Sequence, residues 1–252
     1  MKNYTIQEKF TLPSHGKVYD VPVKEEITLR SMQLHDEMRR TSPSKNQYQA
    51  MCETIDACMV DNPGISAYDM CVGDYQFLVH KLRAVTYGTS YKLGVQCPTC
   101  KNVLLHEMDL DELDVLEYTD EFENAKVITL PQCEAEIELK VQTPRILDDI
   151  ERKRTEALAK DFEQIDPRLE LVLIANIDKV NGKTLNRVQL ENFVQQLSLK
   201  DVNYIIKSAD KLNGLIGIDT TIGCHCGKCG SNFVSTFRFT PEFYSPSIDW
   251  WW

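Results

Sequence analysis

No run of about 18 apolar residues occurs in this chain, and its opening MKNYTIQEKF has no apolar stretch of the kind a secretory signal carries. Neither a membrane span nor export is expected, so the sequence predicts a soluble intracellular protein. A basic surplus is also missing. Lys and Arg number 28 against 38 Asp and Glu, a net charge of -10, which leaves no cationic field for a phosphate-rich partner. There is no HExxH, no serine elbow, no phosphate-cradling Gly loop and no paired nucleophile and base, so no catalytic residue and no small-molecule substrate are expected. His15, His35, His80 and His106 stand singly and read as surface or core histidines with their hydrogen bonds met. Tryptophan is scarce and confined to one place, Trp250, Trp251 and Trp252.

What is present is 42% hydrophobic residues, enough for one generous domain or two small ones, and nine cysteines. An odd count in a chain too long to need staples reads as thiols kept reduced. The charge is local. Nine acids and no base lie between Glu107 and Glu123, leaving 29 acids against 28 bases elsewhere. A solvated connector is the plainer reading of that segment; Leu110, Leu113, Val115, Leu116, Tyr118 and Phe122 interleave with the acids and would equally suit an amphipathic docking turn.

Along the chain, residues 1–27 with Pro13, Gly16 and Pro22 suit an extended arm or a strand pair with a Ser-His-Gly turn. A helical region follows over 28–88. Leu29, Met32, Leu34 and Met38 recur at helical spacing from Thr28; Tyr48, Met51, Cys52, Ile55 and Met59 line a second helix over 45–59; Asp74 caps a third, with Phe77, Leu78, Leu82 and Val85 inward and a stop near Gly88. TSYKLGVQ and NVLLHEM then read as a hairpin bent around CPTC. Beyond the acidic run, AKVITL and AEIELKVQ read as strands, Thr143-Pro144 opens a helix to about Lys160 whose Asp148, Asp149 and Glu151 suit a solvent-facing side, and Pro167 opens a helix through RLELVLIANIDKV. Asn181-Gly182 turns the chain. Leu190, Phe193, Val194 and Leu197 face inward on the next helix, and Ser198 with Asp201 starts the last, which ends at Asn213-Gly214. LIGIDTTIG, CHCGKCG and SNFVSTFRF again read strand, thiols, strand, and no repeat beyond this pair of hairpins is evident.

Cys97-Pro-Thr-Cys100 and Cys226-Gly-Lys-Cys229 are two CxxC knuckles between strand-like flanks. That spacing lets turn amides point at the sulfurs and brings two thiolates to about 2.3 Å from one metal, so two facing knuckles complete a tetrahedral zinc site. Four thiolates leave no open position, which makes the expected Zn2+ structural, with binding energy on the order of 10 kcal/mol that is also folding energy. The 125 residues between Cys100 and Cys226 exceed the ordinary ribbon spacing. A split ribbon accommodates them: hairpins 89–106 and 216–240 close on each other, and 107–215, the acidic connector plus a strand-and-helix subdomain, is inserted between them. A redox pair needs a thiolate at a helix start, and neither knuckle has one. Cys224 and His225 are alternates for the third ligand, with Cys226 preferred. Cys52, Cys58, Cys71 and Cys133 read as buried small hydrophobes. The expected fold class is α+β.

The tail 241–252, with Phe243, Tyr244 and the three tryptophans, carries too much apolar area to stay in water. It reads as an anchor, folded back on its own domain or set into a neighbouring subunit, the neighbour being slightly favoured.

In order and wording, LPSHGKVYD, MQLHDEM, DYQFLVHKLRAVTYG running straight into CPTC, LENFVQQLSLKDVNYII, and CHCGKCG ending in FRFTPEFY resemble the baseplate hub and hub-assembly proteins of T-even-type contractile-tailed phages. SPSIDWWW departs from that pattern. The resemblance implies a non-enzymatic virion or assembly protein that acts in the host cytoplasm and is retained in the tail baseplate, with hub, tube-initiator or wedge subunits as partners, and it matches Cys97, Cys100, Cys226 and Cys229 to paired thiol knuckles. A transient tail-assembly chaperone absent from the virion and a zinc-ribbon nucleic-acid-binding regulator are the competing readings.

Overall fold

The computed structural model describes residues 5–160, 165–237 and 241–244. Strand β1 (Gln7–Thr11) pairs antiparallel with β2 (Glu26–Arg30). Of the two forms expected for residues 1–27, the described part takes the strand pair and not the extended arm, because Leu12, Ile27 and Leu29 alternate into a core that leaves them fully buried. The turn after β1 places His15 and Gly16 at φ of +50° and +71°.

Helix α1 (Leu34–Arg40) begins later than the expected start at Thr28, since Thr28 to Arg30 belong to β2. Of the expected inner stripe, Leu29 is buried and Met32 packs against the core, but Leu34 and Met38 turn outward, 77% and 60% exposed. The inward position goes to Asp36, whose buried carboxylate accepts bonds of 2.6 and 3.0 Å from the Arg30 guanidinium and one of 2.9 Å from the Gln33 amide. A buried charge needs partners, and satisfying Asp36 fixes the rotation of the helix.

Helix α2 (Gln49–Cys58) buries Cys52 and Ile55, with Tyr48, Met51 and Met59 packed at its margin. Helix α3 (Val72–Tyr87) buries Phe77, Leu78, Leu82 and Val85 and stops at Gly88, whose φ of +85° suits glycine. Its cap is Cys71, whose sulfur accepts the Asp74 amide, and not Asp74. The Asp74 carboxylate reaches instead to the N-terminal turn, where it accepts the Ser14 amide (3.0 Å), the Ser14 hydroxyl and the Tyr19 hydroxyl (2.5 Å).

Strands β3 (Ser90–Gln96) and β4 (Val103–Asp109) form the first thiol hairpin. The acidic run that follows is a connector between two cores with all nine of its acids exposed, and it is also anchored. A single 3-10 turn at Leu110–Glu112 buries Leu110, β5 spans Val115–Leu116, and α4 (Asp120–Lys126) buries Phe122. Leu110 packs in one core and Phe122 in another, so the apolar residues between the acids tie the segment down at both ends.

The second core forms around a three-stranded antiparallel sheet. β6 (Val127–Thr129) pairs with β7 (Glu136–Leu139). Helix α5 (Pro144–Leu158) starts with Pro144 in its first turn and Thr143 accepting the Ile146 amide. Asp148, expected on a solvent face, is buried where it accepts the Tyr48 amide and the Tyr68 hydroxyl, which joins α5 to α2. Helix α6 (Arg168–Asn176) is shorter than expected, because Ile177 to Val180 become β8 and pair with β7. Asn181 and Gly182 turn the chain at φ of +50° and +71°. Helix α7 (Arg187–Gln195) and α8 (Leu199–Asn213) then cover the sheet, the latter capped by Ser198 on the Asp201 amide. Val194, Val202, Ile205, Ala209 and Leu212 pack with Ile137, Leu139 and Leu173.

The chain returns through β9 (Gly217–Ile218), which pairs with β5, and enters the second thiol hairpin, β10 (Thr221–His225) with β11 (Asn232–Thr236). At this return the backbone passes directly over the start of α3. A Cβ added at Gly73 would lie 2.2 Å from the Ile216 carbonyl oxygen, and Gly217 sits at φ of +128° with the Gly73 Cα 3.0 Å from where its own Cβ would be. The whole is an α+β protein in which small sheets and helices share two cores. No helix among the described residues is long and apolar enough to cross a membrane.

Candidate metal centre

Both knuckles are built the same way. In the first, the Cys97 amide donates to the Asn102 carbonyl at 2.8 Å and the Lys101 amide to the Cys97 carbonyl at 2.9 Å; in the second, the Cys226 amide donates to Ser231 at 2.9 Å and the Gly230 amide to Cys226 at 2.8 Å. Lys101 and Gly230, each directly after the second cysteine, are both left-handed, at φ of +59° and +72°. The strands match as well. Gly94 precedes Cys97 by three residues and lies opposite Leu105, and Gly223 precedes Cys226 by three and lies opposite Val234. Two equal turns therefore face each other, which is the arrangement that a fourfold thiolate site requires.

They meet at the sulfurs. Sγ of Cys97 and Cys229 are 3.7 Å apart, Sγ of Cys100 and Cys226 are 3.6 Å apart, and all four lie within 4.8 Å of one another. Beside them, the Thr99 and Ser231 hydroxyls bridge the hairpins at 3.2 Å. A tetrahedron with metal–sulfur bonds of about 2.3 Å has sulfur–sulfur edges of about 3.8 Å. The two cross-hairpin pairs already have that spacing, so the four residues fit a metal ion.

The electrostatics point the same way. Amides of Cys100 and Thr99 directed at the Cys97 sulfur pull its thiol down to about 6, and those of Cys229 and Lys228 lower Cys226. Cys229 accepts the Ser231 amide, but the sulfurs of Cys100, Cys226 and Cys97 push its thiol up to about 12. The turns stabilise the first thiolates, and the last must form against negative charge that a dication would neutralise.

Cys224, the alternate ligand, stands outside the cluster. It is buried in the first core with its sulfur 3.9 Å from His106 Nδ1, and burial raises its thiol. Strand periodicity explains this: Ile222, Cys224 and Cys226 share one face of β10, but only Cys226 has passed the end of the ladder into the knuckle. His225 points outward and meets Asn232 Oδ1 at 2.7 Å. Among the remaining cysteines, Cys52, Cys58 and Cys71 are buried, and Cys133 is exposed rather than packed inside as expected.

Phe243 and Tyr244, expected to face a neighbour, are buried in the chain's own first core. Phe243 packs edge-on to Tyr91, the buried Arg83 guanidinium donates to the Phe243, Gly88 and Ser90 carbonyls, and the Tyr244 hydroxyl donates to the Val79 carbonyl. Aromatic area of that size finds cover in the nearest apolar surface, here α3 and β3. Trp250, Trp251 and Trp252 lie outside the described residues.

Sequence reasoning missed the approach of Gly73 to Gly217, which sets β10 and therefore Cys226 in place. The signal was only a glycine at the start of a helix and another in LIGID, too common a pattern to single out. It also missed Arg83, whose role depends on carbonyls that lie together only in the fold.

No curated protein and no solved structure matches this chain. The family model described as T4 bacteriophage base plate protein matches residues 3–243, a span that includes both knuckles, the inserted core and the Phe243 turn. The chain belongs to the T4 bacteriophage base plate protein family.

Proposed function

We propose that this protein is a non-enzymatic structural or assembly component of the hub region of a contractile phage tail baseplate, folded around one structural zinc and docked to neighbouring baseplate subunits. The observation that carries the reading is the convergence of Cys97, Cys100, Cys226 and Cys229 from two equal turns far apart in sequence, within a chain of the base plate family. The paired hairpins then act as a split zinc ribbon. Cys97 and Cys100 hold one side of the ion and Cys226 and Cys229 the other, and with four thiolates no position is left for a reacting water. Hub, tube-initiator or wedge subunits are the partners in kind.

Elemental analysis of the purified protein tests the metal. One zinc per chain is expected in the wild type and in Cys224→Ala, and none after replacement of all four knuckle cysteines; equal metal content in wild type and the fourfold variant would refute zinc. Mass spectrometry of purified particles tests the role. A virion component is present in baseplates and is missing from them in Cys226→Ala, whereas a transient tail-assembly chaperone is absent from particles in both cases.

A further inference from the structure

The outward face of α1 is the least explained apolar surface of the first core. Leu34 and Met38, one turn apart, are 77% and 60% exposed, while the opposite side of the helix is committed to Asp36 and Arg30. Arg39 flanks them. Its guanidinium lies 3.5 Å from the His35 ring and forms no ion pair among the described residues. The described chain ends beside this helix, because the Tyr244 ring lies 5.1 Å under the guanidinium of Arg40. After Tyr244 come Ser-Pro-Ser-Ile-Asp-Trp-Trp-Trp.

We infer that the Leu34–Met38 face of α1 is the docking site of the chain's own segment 245–252. Five residues lie between Tyr244 and Trp250, six steps along the chain that can span about 20 Å, whereas α1 is about 10 Å long and about 10 Å across. The segment is therefore long enough to reach the outer face from Tyr244. Its chemistry is complementary: Ile248 and the tryptophans match the two apolar side chains, and Asp249 matches Arg39. Burying Phe243 and Tyr244 at home removes the entropy cost of bringing the rest of the tail to this helix, which favours the same molecule over a neighbour. The inference does not depend on metal or on baseplate assembly.

Intrinsic fluorescence tests it cleanly, because all the tryptophans of the chain are in the segment. Purified wild-type protein at high dilution is expected to show blue-shifted tryptophan emission and resistance to acrylamide, both lost in Leu34→Ser/Met38→Ser and both kept in Leu199→Ser, a control at a position 74% exposed on α8. Circular dichroism of the double variant should match wild type, since both positions are on the surface. Fully solvated emission in wild type overturns the inference. So does a blue shift that survives the double variant, which places the segment elsewhere, or one that disappears on dilution, which makes the occupant a second copy.

Discussion

Replacing Gly73 with alanine should destabilise this protein, against the ordinary sign. Early in a helix the change normally helps, by about 0.4–1 kcal/mol, because alanine has less freedom to lose on folding. Here the new Cβ would lie 2.2 Å from the Ile216 carbonyl oxygen and 2.7 Å from its carbon, and backbone cannot swing aside as a side-chain tip can. Overpacking of this kind costs about 1–3 kcal/mol, and the carbonyl belongs to the residue just before β9, where the chain comes back from the second core. The net expectation is a loss of about 1–2 kcal/mol, or a midpoint lowered by about 2–8 °C for a chain of this length. Gly217→Ala adds the cost of a φ of +128° and should lose at least as much. The double variant should lose less than the two losses added, because one opening of the crossing accommodates both methyl groups. Gly223→Ala is the control: nothing lies within 4 Å of its Cβ position, so stability should stay within about 0.5 kcal/mol. Urea unfolding followed by far-ultraviolet circular dichroism measures all four. A Gly73→Ala midpoint equal to or above wild type, with unchanged slope, would refute the argument that backbone contact holds the return strand on α3.

Burial holds the Asp74 carboxyl above its ordinary range, although the Ser14 and Tyr19 donors pull it down. The folded protein therefore binds that proton more tightly than the unfolded chain, and wild type should lose stability relative to Asp74→Asn as pH rises from about 4 through the raised value; parallel stability profiles for the two proteins would sink this reading. Phe243→Ala removes a ring that is fully buried against Tyr91 and Arg83 and should cost about 3–4 kcal/mol in thermal unfolding of the isolated protein. A change below about 1 kcal/mol would mean that the turn is held only inside an assembly.

What could be read from the sequence was local. The two CxxC knuckles, the capped starts at Thr143 and Ser198, the stop at Gly88 and the Asn181-Gly182 turn depend on neighbours within a few residues, and each is where the pattern put it. The failures are contacts between distant segments. Leu34 and Met38 have the spacing of a buried stripe, yet Asp36 takes the inside because Arg30, delivered by a strand, is there to pair with it. RLELVLIANIDKV has helical composition throughout, but β7 offers Ile177 to Val180 an open edge and the helix gives way. The acidic run hid its structure for the same reason, since Leu110 and Phe122 acquire meaning only from the two cores that receive them. At the candidate site the four cysteines that come together were legible. That Cys226 rather than Cys224 joins the cluster follows from where the β10–β11 ladder ends, a matter of register with a partner strand.

The joint between the two cores shows what a metal held by the thiol cluster would add. The chain leaves the first core at β5 and returns at β9, and these pair over only two residues, Val115 with Ile218 and Leu116 with Gly217, extended by the Asp219 amide on the Asp114 carbonyl at 2.9 Å. A ladder so short cannot fix its own register, since isolated two-stranded sheets are marginal even when longer. Two further constraints flank it. On one side the Gly73 approach holds the return strand against α3, and on the other the four sulfurs bring the hairpin tips together. Among the described residues the hairpins are separate two-stranded sheets with no ladder between them. Backbone pairing therefore does not join β3–β4 to β10–β11, and beyond the core side chains that both share, the sulfur cluster with its Thr99–Ser231 hydroxyl bridge is the tie at the tips. A cation bound there would convert two adjacent hairpins into one rigid unit while leaving the second core, with its own sheet and helices, to keep its shape independently.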